Sequence, residues 1–274
     1  INASGIKWVS SFPLNLEKSL DRASAVIVLN SVQTGRPEAL LEGSIISAKR
    51  TAASAAIAAQ CLHRERSPNR AGLIGCGLIN FEIARFLLAV FPNMKQLVIY
   101  DLDPARANRF KETCQRTFAG ISMEISADMN ALLRSCSLAA FATTAIAPHV
   151  TNAAELSPDH TVLHISLRDL SPEIILACDN IVDDVDHVLR AHTSVHLAEQ
   201  LAGHRDFIRC TLGEIIIGAA AARRDQSTAV FSPFGLGILD VALAHTVRDI
   251  GVRQGKGTVI RSFLPVSWEA EPQQ

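Results

Sequence analysis

Hydrophobic positions along this chain follow two rhythms. Up to about residue 46 they come in short runs rich in β-branched residues, separated by turn formers. On this pattern residues 5–10 and 25–30 are predicted strands, residues 33–37 a turn carrying Gly35 and Pro37, and 38–41 a strand paired with the one before. Residues 47–65 switch to a helix, in which Ala52, Ala53, Ala55, Ala56, Ala58 and Ala59 give high propensity and allow a neighbour to approach closely. From residue 71 strands and helices alternate. Strands are predicted at 71–75, 96–101, 122–125, 137–143, 161–166, 180–183 and 228–231. Helices are predicted at 78–91, 104–117, 127–135 and 237–252, with a polar helical stretch over 185–221 that turns at Gly203. A short strand at 258–261 and a loose tail after Pro265 complete the reading.

Strands alternating with helices are connected most simply as parallel, right-handed βαβ units, so the fold class is α/β, a Rossmann-type doubly wound parallel sheet. The opening strands have no nucleotide-binding pattern and belong to a separate small sheet. Composition agrees: 48% of the 274 residues are hydrophobic and only 5% aromatic, the aliphatic-rich mix of strands covered by helices on both faces. A net charge of −1 with no polybasic run argues against a nucleic-acid partner. No apolar run reaches the length of a membrane span, and the expectation is a soluble, cytoplasmic protein. The six cysteines form no CxxC pair and are expected to be reduced and buried. Among nine histidines no metal-binding spacing occurs, and the polar group His187, His192 and His196 reads as a solvated helix face; no metal is expected.

The most informative motif is Gly75, Cys76, Gly77, Leu78 and Ile79, which follows an apolar strand and opens a helix. Gly75 permits a tight turn, Gly77 lets backbone approach a pyrophosphate, and the helix start offers N–H donors. Asn80 stands where a third glycine is usual. Asp101 ends the next strand, where an acid binds ribose hydroxyls and repels a 2′-phosphate, which favours NAD; Arg106, one turn on, softens that preference. The alternative is a glycine turn that binds nothing. Arg50 near the start of the alanine-rich helix opposes the helix dipole, so it serves either as a carboxylate clamp or as a surface residue. Lys7 lies between Ile6 and Trp8, either functional or simply the solvent-facing member of its strand. Asp169 follows a strand of the parallel sheet, where ligands bind; it is either a general base, with Arg168 and Glu173 in support, or a helix N-cap before Pro172. Thr143, Thr144 and Ser166 are placed beside the cofactor, and the glycine-rich turn at Gly235 either joins them through its backbone or is only a turn.

Together these segments resemble the ornithine cyclodeaminase/μ-crystallin family. The matching residues are Gly5–Val9, Val28–Asn30 with Thr34–Pro37, Arg50–Ser54, Ile74–Gly77, Asp169 with Glu173, Val182–Asp184, Leu212–Glu214 and Phe234–Asp240, and they span nearly the whole chain. The resemblance implies a NAD-binding domain at 51–239 and a smaller mixed-sheet domain for substrate binding and dimerisation at 1–50 and 240–274. It implies NAD held by Gly75, Gly77 and Asp101, a substrate α-carboxylate held by Lys7 and Arg50, Asp169 as catalytic acid/base, an amino-acid substrate, and a homodimer. The chain starts at Ile1, close to a predicted strand, and a preceding segment that completes the small domain is expected. Within the family it is similar to the branch that makes 2,3-diaminopropionate for siderophores and peptide antibiotics, on the residues after Cys76, on Ile165 and Ser166, and on Val182–Asp184. Cyclodeaminases carry a Gly-Gly-Asp type sequence where this chain has Leu167, Arg168 and Asp169, which argues against ornithine. Ornithine cyclodeamination, alanine dehydrogenation and cyclic imine reduction stay open as alternatives, as does a non-catalytic NAD(H)-binding, crystallin-like protein.

Overall fold

The computed structural model describes residues 2–18 and 20–265, in two units: Ile1–Gly43 with Val241–Gln274, and Ser44–Asp240. The predicted tail after Pro265 lies outside the described residues.

The smaller unit holds three strands, β1 (Ser4–Ser11), β2 (Ala23–Asn30) and β3 (Pro37–Glu42), in the order β1-β2-β3. They are antiparallel throughout, where a mixed sheet was expected. Residues opposite one another share a face, so Lys7, Ile27 and Leu41 lie on one side, and Ile6, Val28 and Leu40 on the other. Ile27 is fully buried, whereas Ile6 and Leu40 are exposed. Lys7 therefore stands on the covered face and its apolar neighbours Ile6 and Trp8 on the open one, the reverse of the solvent-facing reading.

The larger unit begins with helix α1 (Ser44–Leu62), which starts three residues earlier than expected and puts Arg50 in its second turn and in this unit. Eight strands follow: β4 (Arg70–Ile74), β5 (Gln96–Tyr100), β6 (Ser122–Ile125), β7 (Leu138–Phe141), β8 (Thr161–His164), β9 (Asp179–Val182), β10 (Ile208–Thr211) and β11 (Ala229–Ser232). Interleaved with them are α2 (Leu78–Val90), α3 (Pro104–Thr117), α4 (Met129–Ser135), α5 (Pro172–Ala177), α6 (Val185–Val188), α7 (Ser194–Ala202) and α8 (Leu212–Ile216); α9 (Gly237–Arg253) follows β11 in the chain and from Val241 onward belongs to the smaller unit. The sheet runs β10-β9-β11-β8-β7-β4-β5-β6, and all its pairings are parallel.

Alternation along the strands builds a core on each face. Leu73, Leu97 and Ile99 pack with Ala52, Ile83 and Phe110 of α1, α2 and α3. Ile74, Val98 and Phe141 pack with Leu132, Ile175 and Val195 of α4, α5 and α7. Burial of each such large side chain contributes about 1.5–3 kcal/mol. Strands β5 and β6 lie to one side of β4, and β7 and β8 to the other. The connection reverses between β4 and β7, which opens a crevice at their carboxyl ends.

Two sequence expectations need correcting. The stretch 185–221 is not continuously helical, because β10 pairs with β9 inside it. Its central Arg209 hides the strand in the sequence, and the structure pairs that guanidinium with both oxygens of buried Asp179, at 2.6 and 3.1 Å. Residues 258–261 form no strand; Val259 and Ile260 are exposed and pair with no strand among the described residues.

Candidate active site

Tight geometry at the β4–α2 turn follows from its glycines. Gly75 takes φ +92°, and a Cβ there would meet the carbonyl oxygen of Ala142 at 2.5 Å. That contact spans the switch point, since Ala142 follows β7. Gly77 caps α2 without a side-chain hydrogen bond, and a Cβ there would meet nothing within 4 Å. The helix start is therefore uncrowded, and the first N–H groups of a helix, which have no partner within it, suit an anion. Asn80 explains the missing third glycine: its buried Nδ2 donates to the carbonyls of Ile74 and Gly75, at 2.8 and 2.7 Å, and braces the turn from beneath. Asp101 Oδ2 accepts the Cys76 N–H at 2.8 Å and Oδ1 the Asp103 N–H at 2.9 Å, so the acid is oriented and keeps lone pairs for sugar hydroxyls. Burial, with the Asp101 charge adding to it, pushes the Cys76 thiol up to about 12, so Cys76 contributes backbone and not thiolate. These residues fit a dinucleotide without a 2′-phosphate.

Arg50 is not a surface residue. Its side chain is largely buried, and Nε donates to Asp240 Oδ1 at 3.1 Å, with Asp240 fully buried. Gly235, at φ +104°, lets the guanidinium lie alongside: a Cβ there would stand 3.1 Å from Nη2. Asp183, just past β9, fixes this turn by accepting the N–H groups of Phe234 and Gly235 at 2.9 and 2.7 Å. Nη1 of Arg50 has no hydrogen bond among the described residues, so an oriented guanidinium edge is left for an anion.

Asp169 lies in the loop after β8, and the N-cap reading fails because Ser171 caps α5. Its side chain is fully buried. Oδ1 accepts from Thr143 Oγ1 and lies 3.0 Å from His149 Nε2; Oδ2 accepts from Ser166 Oγ. His164 Nε2 stands 3.2 Å from the Asp169 N–H and 3.4 Å from Oδ2. The shorter approach makes that nitrogen an acceptor and puts the ring proton on Nδ1, facing Ser232 Oγ at 3.1 Å. Burial alone pushes the Asp169 carboxyl up, but the hydrogen bonds from His149 and Ser166 prevail, holding it well below the usual carboxylate range.

Thr143 and Ser166, expected beside the cofactor, both spend their hydroxyls on Asp169, while Thr144 is exposed. Sequence reasoning missed His149, His164, Asp183 as an anchor and Asp240 as a brace. A faint signal existed for two of them: His164 ends a strand that is otherwise apolar after its first residue, and Asp240 interrupts an apolar helix start. In the polar stretch, His187 pairs with Asp184 at 2.7 Å, and the His192 and His196 rings stack. Among the described residues no helix is long and apolar enough to cross a membrane.

A parallel sheet with an open glycine turn and an aspartate at its switch point defines a dinucleotide-binding α/β protein. The family model for the ornithine cyclodeaminase/mu-crystallin family matches residues 1–255, and the chain belongs to that family. It is 26% identical to the N-((2S)-2-amino-2-carboxyethyl)-L-glutamate dehydrogenase of Staphylococcus aureus, over 95% of this chain and 78% of that protein. It is 30% identical to the alanine dehydrogenase of Archaeoglobus fulgidus, over 95% of this chain and 80% of that protein. Its fold matches the Thermococcus litoralis Delta(1)-pyrroline-2-carboxylate reductase in complex with NADH and L-proline, with a TM-score of 0.88 at 27% identity, covering 94% of this chain and 81% of that one.

Proposed function

We propose that this chain is a NAD-dependent oxidoreductase acting on the C–N bond of an amino acid, and that its substrate is N-(2-amino-2-carboxyethyl)-L-glutamate, cleaved to 2,3-diaminopropionate and 2-oxoglutarate. The observation that carries the reading is the pairing, within one unit, of the braced Arg50 with a buried hydrogen-bonded network around Asp169. A carboxylate clamp and a proton-handling group are the two parts that amino-acid oxidation requires of the protein. Gly75, Cys76, Gly77, Leu78 and Ile79 with Asp101 hold the dinucleotide, and Thr144 and Gly235 lie beside it. Bound NAD supplies the hydride acceptor. Arg50 holds the α-carboxylate and thereby fixes the orientation of the neighbouring C–H bond. Lys7 joins it on the strength of the family resemblance alone. The Asp169 network moves the proton of the substrate nitrogen. The Staphylococcus aureus relative supports the choice of substrate, and the product would feed siderophore or peptide-antibiotic synthesis.

Alanine oxidation is the second reading, favoured by the higher identity to the Archaeoglobus fulgidus enzyme. Absorbance at the NADH band decides between them when the protein is mixed with NAD and, separately, with the glutamate conjugate, alanine, ornithine and glutamate. The conjugate alone is expected to give NADH and equimolar 2-oxoglutarate; NADH from alanine alone would replace the first reading by the second. A homodimer through the small sheet is also proposed, supported by the exposed Ile6, Trp8 and Leu40. Light scattering on Trp8→Glu should then report a shift towards monomer.

A further inference from the structure

Asp169 has no accessible surface through which to meet a substrate. Thr143 and His149 occupy Oδ1, and Ser166 occupies Oδ2. The most exposed group in this network is His149. His149 is 39% exposed at its side chain, and it lies in the loop that leaves β7, the strand flanking β4 at the switch point.

We propose that His149 is the catalytic residue that exchanges a proton with the substrate nitrogen, and that Asp169 is its positioning residue. This rests on the oxidoreductase reading above and names the group that performs its proton step.

Three observations support the assignment. First, the loop is tied to Asp169 twice. The His149 and Val150 N–H groups both donate to the Asp169 carbonyl, at 3.0 and 2.9 Å, while Nε2 meets the carboxylate at 3.0 Å. Backbone and ring are thus held from one residue, which fixes the ring's direction. Second, a carboxylate that stays ionised accepts, so Nε2 carries the proton and Nδ1 carries the lone pair. Nδ1 has no hydrogen bond among the described residues. Third, Thr143 and Ser166 donate to the same carboxylate and His164 packs beside it, an arrangement that orients an anion and gives it no path to the surface. It has the layout of a buried acid that holds an imidazole in one tautomer and stabilises the charge the ring acquires.

The step balances. Loss of hydride from the substrate Cα to the nicotinamide, the oxidant, leaves a C=N bond to a nitrogen still bearing its proton. That N–H bond breaks, its electron pair stays on nitrogen, and the proton goes to His149 Nδ1. The ring becomes imidazolium above the Asp169 anion and releases the proton to solvent from its exposed edge. In the reductive direction the same atoms run in reverse.

Two measurements on the full-length protein test this separately from the identity of the substrate. Long-range nitrogen–proton spectra of histidine-labelled protein should show His149 as the Nε2–H tautomer, and Asp169→Asn should remove that single-tautomer signature. A wild-type ring protonated on Nδ1, or one averaging between tautomers, would overturn the proposal whether or not any substrate is turned over. With whichever substrate of the panel gives NADH, His149→Gln should lower kcat by about 10²-fold or more, leave the Kd for NADH within twofold, and leave the melting temperature nearly unchanged. Added imidazole should restore part of the activity of His149→Ala. A kcat within threefold of wild type in His149→Gln would also overturn the assignment. Inactivity of the wild type towards the whole panel would count against the substrate reading, with the spectra still deciding the His149–Asp169 pair.

Discussion

Two regions at the same carboxyl rim of the large sheet are built on opposite plans. The turn after β4 stays open at its helix end: a Cβ on Gly77 would meet nothing within 4 Å, and the helix start has no side-chain cap. The loops after β7 and β8 do the reverse. They enclose a carboxylate and satisfy it with hydroxyls and an imidazole until nothing of it remains accessible. An open row of N–H groups suits a ligand that brings its own charge, such as a pyrophosphate. A saturated buried anion cannot bind a ligand, but it holds its partners rigidly and compensates positive charge that develops on one of them. The first plan is a binding device and the second a positioning device, and they should fail differently.

The sharpest separation is Asp169→Asn. It should lower kcat on the order of 10³-fold while NAD affinity, measured by fluorescence titration, stays within about twofold. Parallel losses of kcat and affinity would erase the distinction. The same variant has a pH signature. The folded pKa of Asp169 lies below its unfolded value, so the group contributes stability above about pH 4 that is lost as pH falls further. The Asn variant should lack that part of the acid limb in urea unfolding.

Gly75→Ala attacks the other loop. A positive φ and a Cβ 2.5 Å from the Ala142 carbonyl force the turn to move. NAD affinity should fall at least about tenfold and stability by about 1–3 kcal/mol, read by titration and by urea unfolding. Normal NAD binding in this variant would mean the turn is not the pyrophosphate site.

His63 supplies a control at the opposite end of the sheet, where its Nδ1 lies 3.1 Å from Thr161 Oγ1 at the start of β8. Burial, helped by the Arg223 charge, lowers its pKa to about 4. The unfolded chain therefore binds the proton more readily, so the protein should be fully stable above about pH 6.5 and weaken as pH drops towards 4. At pH 5 the loss amounts to about 2 kcal/mol, most of which His63→Asn should remove with no change in NAD affinity at neutral pH.

The smallest effect belongs to Arg50→Lys, in which a point charge replaces a planar fork. KM for the amino acid should rise about tenfold with kcat and NAD affinity little changed. An unchanged KM would remove Arg50 from substrate binding and leave it a structural partner of Asp240.

Much of the architecture was legible because it is written in local patterns. Strand β4, helix α2 and helix α3 were readable from alternation, from the glycine turn and from Asp103 with Pro104 at the α3 start. Their hydrophobic periods and start signals act over a few residues, and chain order with parallel crossovers does the rest. Strand β10 was not legible, since an arginine at its centre reads as polar until Asp179, thirty residues earlier, is seen to neutralise it. The unpaired 258–261 segment erred the other way, its β-branched residues having no partner strand to join.

The candidate site divides along the same line. Local pattern alone was enough for the α/β class, the glycine turn, Asp101 beside it, and Arg50 and Asp169 as residues worth asking about. Each is declared by spacing within a strand, a turn and a helix. Folding was needed to reveal that Asn80 replaces a glycine as a brace, that Asp240 aims Arg50 across 190 residues of chain, and that Asp169 is buried behind His149. The reason is physical: accessibility and hydrogen-bond saturation belong to the three-dimensional environment of a side chain, and the loops after two neighbouring strands must converge before a carboxylate stops being a base and becomes the support of one.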